Sequence, residues 1–481
     1  MREVRTRFAP SPTGFLHIGS LRTALYEYAF AKNRKGKFIL RIEDTDRNRF
    51  VPGATEKLIS ILRLFGLNWD EGPEIGGPYT PYIQSERVKT GIYKKYAELL
   101  IKQGNAYYCF CPPQSKEEIK ESHAKKELIL RDKCRDLTPG EVESHLKRGE
   151  KPAIRLKVPD NEKINYYDFI IKKEISWNTK DVDEVMLLKS DGFPTYQLAV
   201  VVDDVAMEIS HIIRALEWLP STPVHLLLFK YLGFKIPEIG HVTDILDPAG
   251  GKLSKRKGAV SCEEFLAEGY LPEAILNFIM LLGWAPKDNR ELFTLEEFVH
   301  NFEKGDLQIA NPIFNRVKLD WFNGVYIRKT ENAHSEGILR KEPLKSQICQ
   351  FFKGKYSEEQ VEKILPLVKD RMVKLADFET LAGPIFKTCT TIDPTCLSSI
   401  KKEHLEGAIR VLSELNDWQL ETINERLTTL IKENGWKTGD FYMSLRIAVC
   451  GCKVTPPINE SLVILGKDKT LAQLKQALTL I

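Results

Sequence analysis

The sequence predicts an α/β protein: a doubly wound parallel-sheet domain, interrupted by an α+β insertion and followed by an all-helical region. Three observations carry this prediction. The chain opens as strand, Pro/Gly-rich turn, helix and strand; an apolar run, Leu198–Val202, ends in Asp203 and Asp204 near mid-chain; and beyond about residue 325 apolar residues recur at helical spacing.

Val4–Phe8 alternates apolar and polar residues as a short strand does, and Ala9–Gly14 is the turn. Leu21, Ala24, Leu25, Tyr28 and Ala29 share one helix face, and Lys37–Ile42 is a second strand ahead of Glu43 and Asp44. From about Tyr107 to Pro194, charged helical segments mix with short strands, among them KKELILRDKCRD and AIRLKV, which marks an insertion. Leu198–Val202 is expected to be a buried parallel strand whose carboxyl end faces a crevice, and Thr222 and Pro223 the cap and first residue of a helix. In the helical region, Ser357 and Gln360 form a capping box ahead of Val361, Ile364, Leu365, Val368, Met372 and Leu375. Leu420, Ile423, Leu427, Leu430 and Ile431 share a face that stops at Asn434 and Gly435, and Thr470 with Gln473 caps a last helix carrying Leu471, Leu474 and Leu478.

Size and composition bound the function. At 481 residues the chain exceeds one core, since domains run to roughly 100 to 200 residues. No stretch approaches the roughly 18 uninterrupted apolar residues of a membrane span, and MREVRTRFAPSPTG holds neither a signal core nor an Arg/Ser-rich presequence, so a soluble, cytoplasmic protein is expected. A net charge of +4 steers a polyanion weakly, and any nucleic-acid contact must use local clusters of Lys and Arg. Nine cysteines, an odd number, argue for reduced thiols or a metal site. Cys109, Cys111, Cys134 and Asp136 have a spacing that suits one structural Zn²⁺, with His123 as another possible ligand, while Cys450 and Cys452 are expected in the core.

Two segments carry chemistry. In FAPSPTGFLHIGS, Pro10, Pro12 and Gly14 deliver His17, Ile18, Gly19 and Ser20 to a helix start, where unpaired N–H groups and the positive end of the dipole attract phosphate. Taken alone, H-x-G is common, and a helix-capping histidine is its ordinary meaning. In GGKLSKRKG, Lys252, Lys255, Arg256 and Lys257 sit between glycines on a mobile loop suited to closing over a triphosphate; taken alone, such a tract is usually solvated surface.

Together, in this order and on either side of an insertion, the two segments resemble the signatures of the class I aminoacyl-tRNA synthetases. His17–Ser20 is similar to HIGH, with Ser20 in place of the last His; Lys252–Arg256 is similar to KMSKS, with Leu253 and Arg256 as departures. RIEDTDRNRFVPGA, LLKSDGFPTYQLAVVVDD and IIRALEWLPSTP resemble the glutamyl branch, and the likeness runs from about Arg5 to Arg328. The resemblance implies a Rossmann-type catalytic domain in residues 1–106 and 195–245, an acceptor-binding insertion at 107–194, a connecting stem-contact domain at 246–325 with the KLSKR loop, and a helical anticodon-binding region at 326–481. A helical rather than barrel-like tail points to the bacterial type; a barrel would favour the glutaminyl enzymes.

The implied reaction has two steps: L-glutamate and ATP, with Mg²⁺, give glutamyl-adenylate, and the acyl group passes to the 3′-terminal adenosine of tRNA(Glu). By resemblance His17, Gly19, Lys252, Ser254 and Lys255 serve catalysis. Arg7 and Tyr196 would hold the glutamate side-chain carboxylate, Arg214 would add a guanidinium, and Ala9, Ser11 and Glu43 would complete the amino-acid site, Ser11 and Glu43 receiving the ammonium. Glu217 and Trp218 would lie near the adenosine of ATP, Asp44 and Arg47 near the acceptor end, and Arg371, on a C-terminal helix, would read an anticodon base. A monomer is expected. The rival readings are a glutaminyl enzyme, a tRNA-binding relative without ATP chemistry, and a small-molecule nucleotidylyltransferase.

Overall fold

In the computed structural model, residues 3–46, 49, 51–112, 133–254, 260–303, 307–329, 343–387, 392 and 394–481 are described. The chain divides into two units, Met1–Glu264 with Leu276–Asn315, and Phe265–Ile275 with Arg316–Ile481. The segment 246–325 therefore contributes to both.

Up to Asn315 the elements run β1 (Arg5–Phe8), α1 (Ile18–Asn33), β2 (Lys37–Leu40), α2 (Ala54–Leu64), α3 (Gln84–Val88), α4 (Ile92–Lys102), β3 (Ala106–Cys109), α5 (Pro139–Lys147), β4 (Ala153–Leu156), β5 (Lys163–Asp168), β6 (Lys173–Asn178), β7 (Met186–Leu188), α6 (Tyr196–Ala206), β8 (His211–Ala215), α7 (Thr222–Tyr231), β9 (Glu238–Val242), α8 (Cys262–Ala267), α9 (Pro272–Met280) and α10 (Leu295–Asn301). β1 and β2 pair in parallel, Arg5 opposite Lys37 and Phe8 opposite Leu40, and β8 and β9 pair likewise, Arg214 opposite His241. Glu71 bridges the outer edge of β2, and Ser210, just before β8, donates to the Arg5 carbonyl at 2.9 Å. The sheet order is thus Glu71, β2, β1, β8, β9, with the crossovers of a doubly wound fold.

All four residues of β1 are buried, so the alternation in its sequence does not mark a wet face. Its polar residues face an ionic interior instead: Arg5 meets Glu71 at 2.8 Å, and Arg7 meets Asp204 at 3.0 Å. β2 ends at Leu40, and Ile42 pairs separately with Ile83. α7 starts one residue earlier than expected, with Ser221 at its cap and Thr222 as its first residue.

The expected strand Leu198–Val202 is instead the interior of α6. A short apolar run fits a buried strand or a buried helix equally, and burial on every side decides for helix: Leu198 through Asp204 are all buried. Leu198, Ala199, Val200, Val201 and Val202 lie in one core with Leu100, Leu156, Leu187 and Leu227, and burying each large aliphatic side chain contributes about 1.5 to 3 kcal/mol. Asp203 and Asp204 face no crevice as strand ends; they accept from Arg87 at 2.7 Å and Arg41 at 2.7 Å inside the protein.

The inserted stretch forms an antiparallel sheet in the order β3, β4, β7 and a hairpin of β5 with β6. α5 opens on a capping box of Thr138 and Glu141, while the segment KKELIL lies outside the described residues.

The second unit is helical throughout its named elements: α11 (Arg316–Arg328), α12 (Leu344–Phe351), α13 (Glu358–Val368), α14 (Asp377–Phe386), α15 (Pro394–Leu397), α16 (Lys402–Ser413), α17 (Leu420–Glu433), α18 (Thr438–Cys450), α19 (Ile458–Leu465) and α20 (Lys467–Leu480). The Ser357–Gln360 capping box is present, and Ile423, Leu427, Leu430 and Ile431 form the buried stripe of α17, which ends at Asn434. α13 stops at Val368, so Met372 and Leu375 lie beyond it, buried in the loop that follows. The chain turns there because Leu375 N–H donates to the Gly269 carbonyl at 2.9 Å. Gly269 has φ +91°, and a Cβ on it would lie 2.7 Å from the Ala376 nitrogen. α20 begins at Lys467, with Gly466 at its cap, so Thr470 and Gln473 are buried helix residues and not a capping box. Cys450 is buried, and Cys452 is half-buried. Among the described residues, no helix is long and apolar enough to cross a membrane.

Candidate active site

The start of α1 is built by its own sequence. His17 occupies the cap position, and its Nδ1 accepts the Gly19 N–H at 3.0 Å, which makes Nε2 the ring's donor nitrogen. Gly19 has no side chain for a steric reason: a Cβ there would lie 3.1 Å from His17 Nδ1. The same residue thus caps α1 and can offer its Nε2–H to an anion.

This turn is stitched to the segment that follows the basic loop. Ile18 N–H donates to Val260 O and Cys262 N–H to Leu16 O, both at 2.9 Å, with His17 opposite Ser261. Ahead of the loop, Leu246 pairs with Lys252 in a tight hairpin, whose Gly250 and Gly251 adopt φ +91° and +79°. Lys252 Nζ reaches Glu217 at 2.7 Å and Asp244 at 2.9 Å. Burial works to lower its pKa, but hydrogen bonds and charge from these two carboxylates outweigh it and raise it. Ser254 is half-buried and does not line the cleft described next; Lys255, Arg256 and Lys257 lie outside the described residues.

A cleft of about 480 Å³ opens between these elements. It gathers Arg7, Ala9, Ser11, His17, Gly19, Glu43, Tyr196, Arg214, Glu217, Trp218 and Lys252. Two walls differ in character. At one end are Glu217 and the half-exposed Trp218, whose ring lies 4.4 Å from that of Tyr196. At the other are buried guanidiniums. Arg7 lies between Asp204 and Glu27, and Arg41, behind it, donates to Asp204 and to Glu43. Burial raises the pKa of Glu43 against the pull of Arg41 and Arg7, so an ammonium arriving beside it would favour its charged form.

Arg214 stands apart from the other guanidiniums. It is buried, and among the described residues no carboxylate lies within ion-pairing distance of it. Its nitrogens donate instead to neutral groups: Nε to His241 Nε2 at 3.0 Å, Nη1 to His225 Nδ1 at 3.0 Å, and Nη2 to Thr222 Oγ1 at 2.8 Å. Each imidazole is oriented from behind, His241 by Asp168 at 2.6 Å and His225 by Gln197 at 2.7 Å. Burial, with the charge of Arg214, holds His225 well below the usual imidazole range. His241 is lowered chiefly by burial, against the pull of Asp168. Both rings are therefore acceptors toward Arg214, and burial lowers the pKa of Arg214 itself. Burial pushes the Tyr196 hydroxyl up to about 12, which keeps it a neutral donor. A buried cation on a cleft wall, held by neutral acceptors, is a receptor for an anion.

Sequence reasoning did not single out Glu27, Asp168 or His241. Glu27 was the most legible of these, as the one acidic residue of α1. Asp168 and His241 meet only through the tertiary fold.

Other expected residues lie elsewhere. Asp44 is buried, and its Oδ1 accepts the Ser85 N–H at 2.8 Å in the first turn of α3; Arg47 and His123 lie outside the described residues. Cys109, Cys111 and Cys134 converge, their sulfurs within 4.8 Å of one another. The Asp136 carboxylate does not join that group, because the 3-10 turn Lys133–Asp136 carries it away from Cys134 to an exposed position. Arg371 is not on a long helix but in the 3-10 turn Lys369–Arg371; its Nη1 donates to the Thr455 carbonyl at 3.0 Å.

The model of the class I tRNA synthetase (E and Q) catalytic domain matches residues 3–321, and an anticodon binding domain matches residues 343–478. Over 99% of its length the chain is 39% identical to a glutamate–tRNA ligase of Dehalococcoides mccartyi, covering 98% of that protein. The chain belongs to the class I glutamate–tRNA ligases. A second member of these ligases, from Finegoldia magna, is 38% identical over 99% of this chain and 100% of its own. The crystal structure of a glutamate–tRNA ligase from Elizabethkingia meningosepticum in complex with its amino acid superposes with a TM-score of 0.83 at 34% identity, covering 99% of each chain. The α/β catalytic part with a helical tail is thus the ligase fold, and the helical second unit contains the anticodon binding match.

Proposed function

We propose that the cleft activates L-glutamate with ATP and transfers it to the 3′-terminal adenosine of tRNA(Glu). The observation that carries this reading is Arg214, a buried guanidinium on the cleft wall with no carboxylate of the described protein beside it. The glutamate side chain supplies the missing carboxylate. Arg7 and the neutral Tyr196 hydroxyl take the same group, and Glu43, with Ser11 and the Ala9 backbone, receives the ammonium. A charged hydrogen bond contributes about 1.5 to 3 kcal/mol, so glutamine, unable to neutralise the guanidiniums, is disfavoured.

In this orientation the α-carboxylate faces the helix start. It attacks the α-phosphorus of ATP, and pyrophosphate leaves toward the basic loop. His17, donating from Nε2, and the N–H groups at the start of α1 hold phosphoryl oxygens as charge builds on them. Lys252, Ser254 and Lys255 serve the leaving group, Glu217 and Trp218 border the adenosine, and Mg²⁺ carried with ATP neutralises phosphate charge. The 2′-hydroxyl of the tRNA's last adenosine then displaces AMP from the adenylate, a step that needs positioning more than a protein nucleophile.

Asp44 and Arg47, with residues 107–194, would guide the acceptor end, Arg371 would meet the anticodon, and residues 246–325 would connect the catalytic and helical parts. The three converging thiols suit one structural Zn²⁺, three thiolates being a common zinc donor set, and the fourth ligand is not gathered by the described residues. Charging of total tRNA tests the whole reading. Transfer is expected with glutamate and not with glutamine, and Lys255→Ala is expected to abolish it; charging with glutamine, or with neither, overturns the reading.

A further inference from the structure

Glu27 lies on the buried face of α1 and lines the cleft, yet none of the roles above uses it. Its Oε1 accepts Arg7 Nη1 at 3.2 Å and the Ile213 N–H of β8 at 3.3 Å, whereas its buried Oε2 has no partner. The other elements around it present Asp204 from α6, already bound by Arg7 and Arg41, and beyond these Glu43. β2 and α10 meet α1 on neighbouring faces through aromatic rings, Phe38 against Tyr28 and Phe298 against Tyr26.

Charge balance is informative here. Arg7, Arg41 and Arg87 pair with Asp203, Asp204, Glu43 and Glu27, whereas Arg214 pairs with none of them and meets Asp168 only through His241. With Glu27 ionised, Arg7 already lies between two carboxylates, and a substrate carboxylate would bring a third negative charge beside it. With Glu27 protonated, one negative charge is removed beside Arg7, which offsets the single net negative charge of a glutamate zwitterion. Asp204 accepts from two guanidiniums, which hold its pKa down, so the proton does not reside there. We infer that Glu27 sets the charge of the amino-acid pocket: its carboxyl is neutral when glutamate binds, Oε2–H donates to the substrate carboxylate held at Arg7, and loss of that proton weakens binding.

Burial pushes the Glu27 carboxyl up to about 8, against the charge of Arg7. This inference rests on the glutamate reading and is tested separately from it. The KM for glutamate in tRNA charging is expected to rise about tenfold from pH 7 to pH 9 while the KM for ATP does not follow, since each pH unit beyond a pKa leaves a tenth of the protonated form. In Glu27→Gln, which keeps a donor and cannot ionise, the glutamate KM is expected to be flat, about tenfold below wild type at pH 9. In unmodified enzyme with tRNA, heats of glutamate binding in buffers of different protonation enthalpy should show uptake of most of one proton at pH 8.5 and almost none at pH 6.5. A wild-type glutamate KM independent of pH, a Gln variant that keeps the slope, or equal uptake at both pH values overturns the inference. No charging with glutamate at any pH overturns the underlying reading instead.

Discussion

At the scale of single residues, the first turn of α1 shows how little freedom the site allows. Gly19 donates its N–H to His17 Nδ1, and a methyl group in its place would crowd that nitrogen at 3.1 Å. The imidazole must then give by a few tenths of an ångström, and with it the Nε2 proposed to hold a phosphoryl oxygen. Displacing a catalytic group by about 1 Å costs on the order of 100-fold in rate, so for this smaller shift Gly19→Ala is expected to lower kcat/KM for ATP by about tenfold, as read by ATP–pyrophosphate exchange with tRNA present. A fall of less than about threefold would mean that the ring position is not critical. His17 and Gly19 were legible in sequence because their roles are local, a helix cap and a close approach. Arg214 was legible only by resemblance, since no spacing rule reveals that it is buried without a carboxylate.

At the scale of elements, the hairpin of β5 and β6 reaches from the inserted stretch to the amino-acid wall. Asp168, at the end of β5, accepts the N–H groups of Ile170 and Ile171, the Tyr166 hydroxyl and His241, which in turn accepts from Arg214. Burial alone would raise the Asp168 carboxyl, but the His241 hydrogen bond and these donors outweigh it and hold it below the usual range. A depressed carboxylate stabilises the fold above its unfolded pKa, and that contribution is lost as pH falls through the depressed value. Asp168→Asn is therefore expected to flatten the acid limb of thermal stability. It should also raise the glutamate KM about tenfold at nearly constant kcat, one misaligned charged hydrogen bond being worth about 1.4 kcal/mol or more. A change in stability with no change in KM would reduce Asp168 to a purely structural role.

Most elements were readable from the sequence where periodicity and caps agreed, as at α1, α13 and α17. Reading failed where one signal stood alone. The apolar run of α6 could not distinguish helix from strand because the element is buried all round. The Thr470–Gln473 pair imitates a cap because the true start, Gly466, is a glycine with no side-chain signal.

At the scale of the whole molecule, Arg214 ties cohesion to occupancy. Its guanidinium is removed from water, and among the described residues no opposite charge offsets the loss; a cation in that position typically costs several kcal/mol. Arg214→Met removes that cost but leaves the acceptors at His225, His241 and Thr222 unpaired, so melting without ligand is expected to change little, while charging is lost and added glutamate warms the parent's transition but not the variant's, as seen in a scanning calorimeter. A variant whose transition glutamate still warms would show that Arg214 does not hold the substrate. A guanidinium kept from water by two imidazoles and a hydroxyl leaves the ligase one positive charge that none of its own described carboxylates claims.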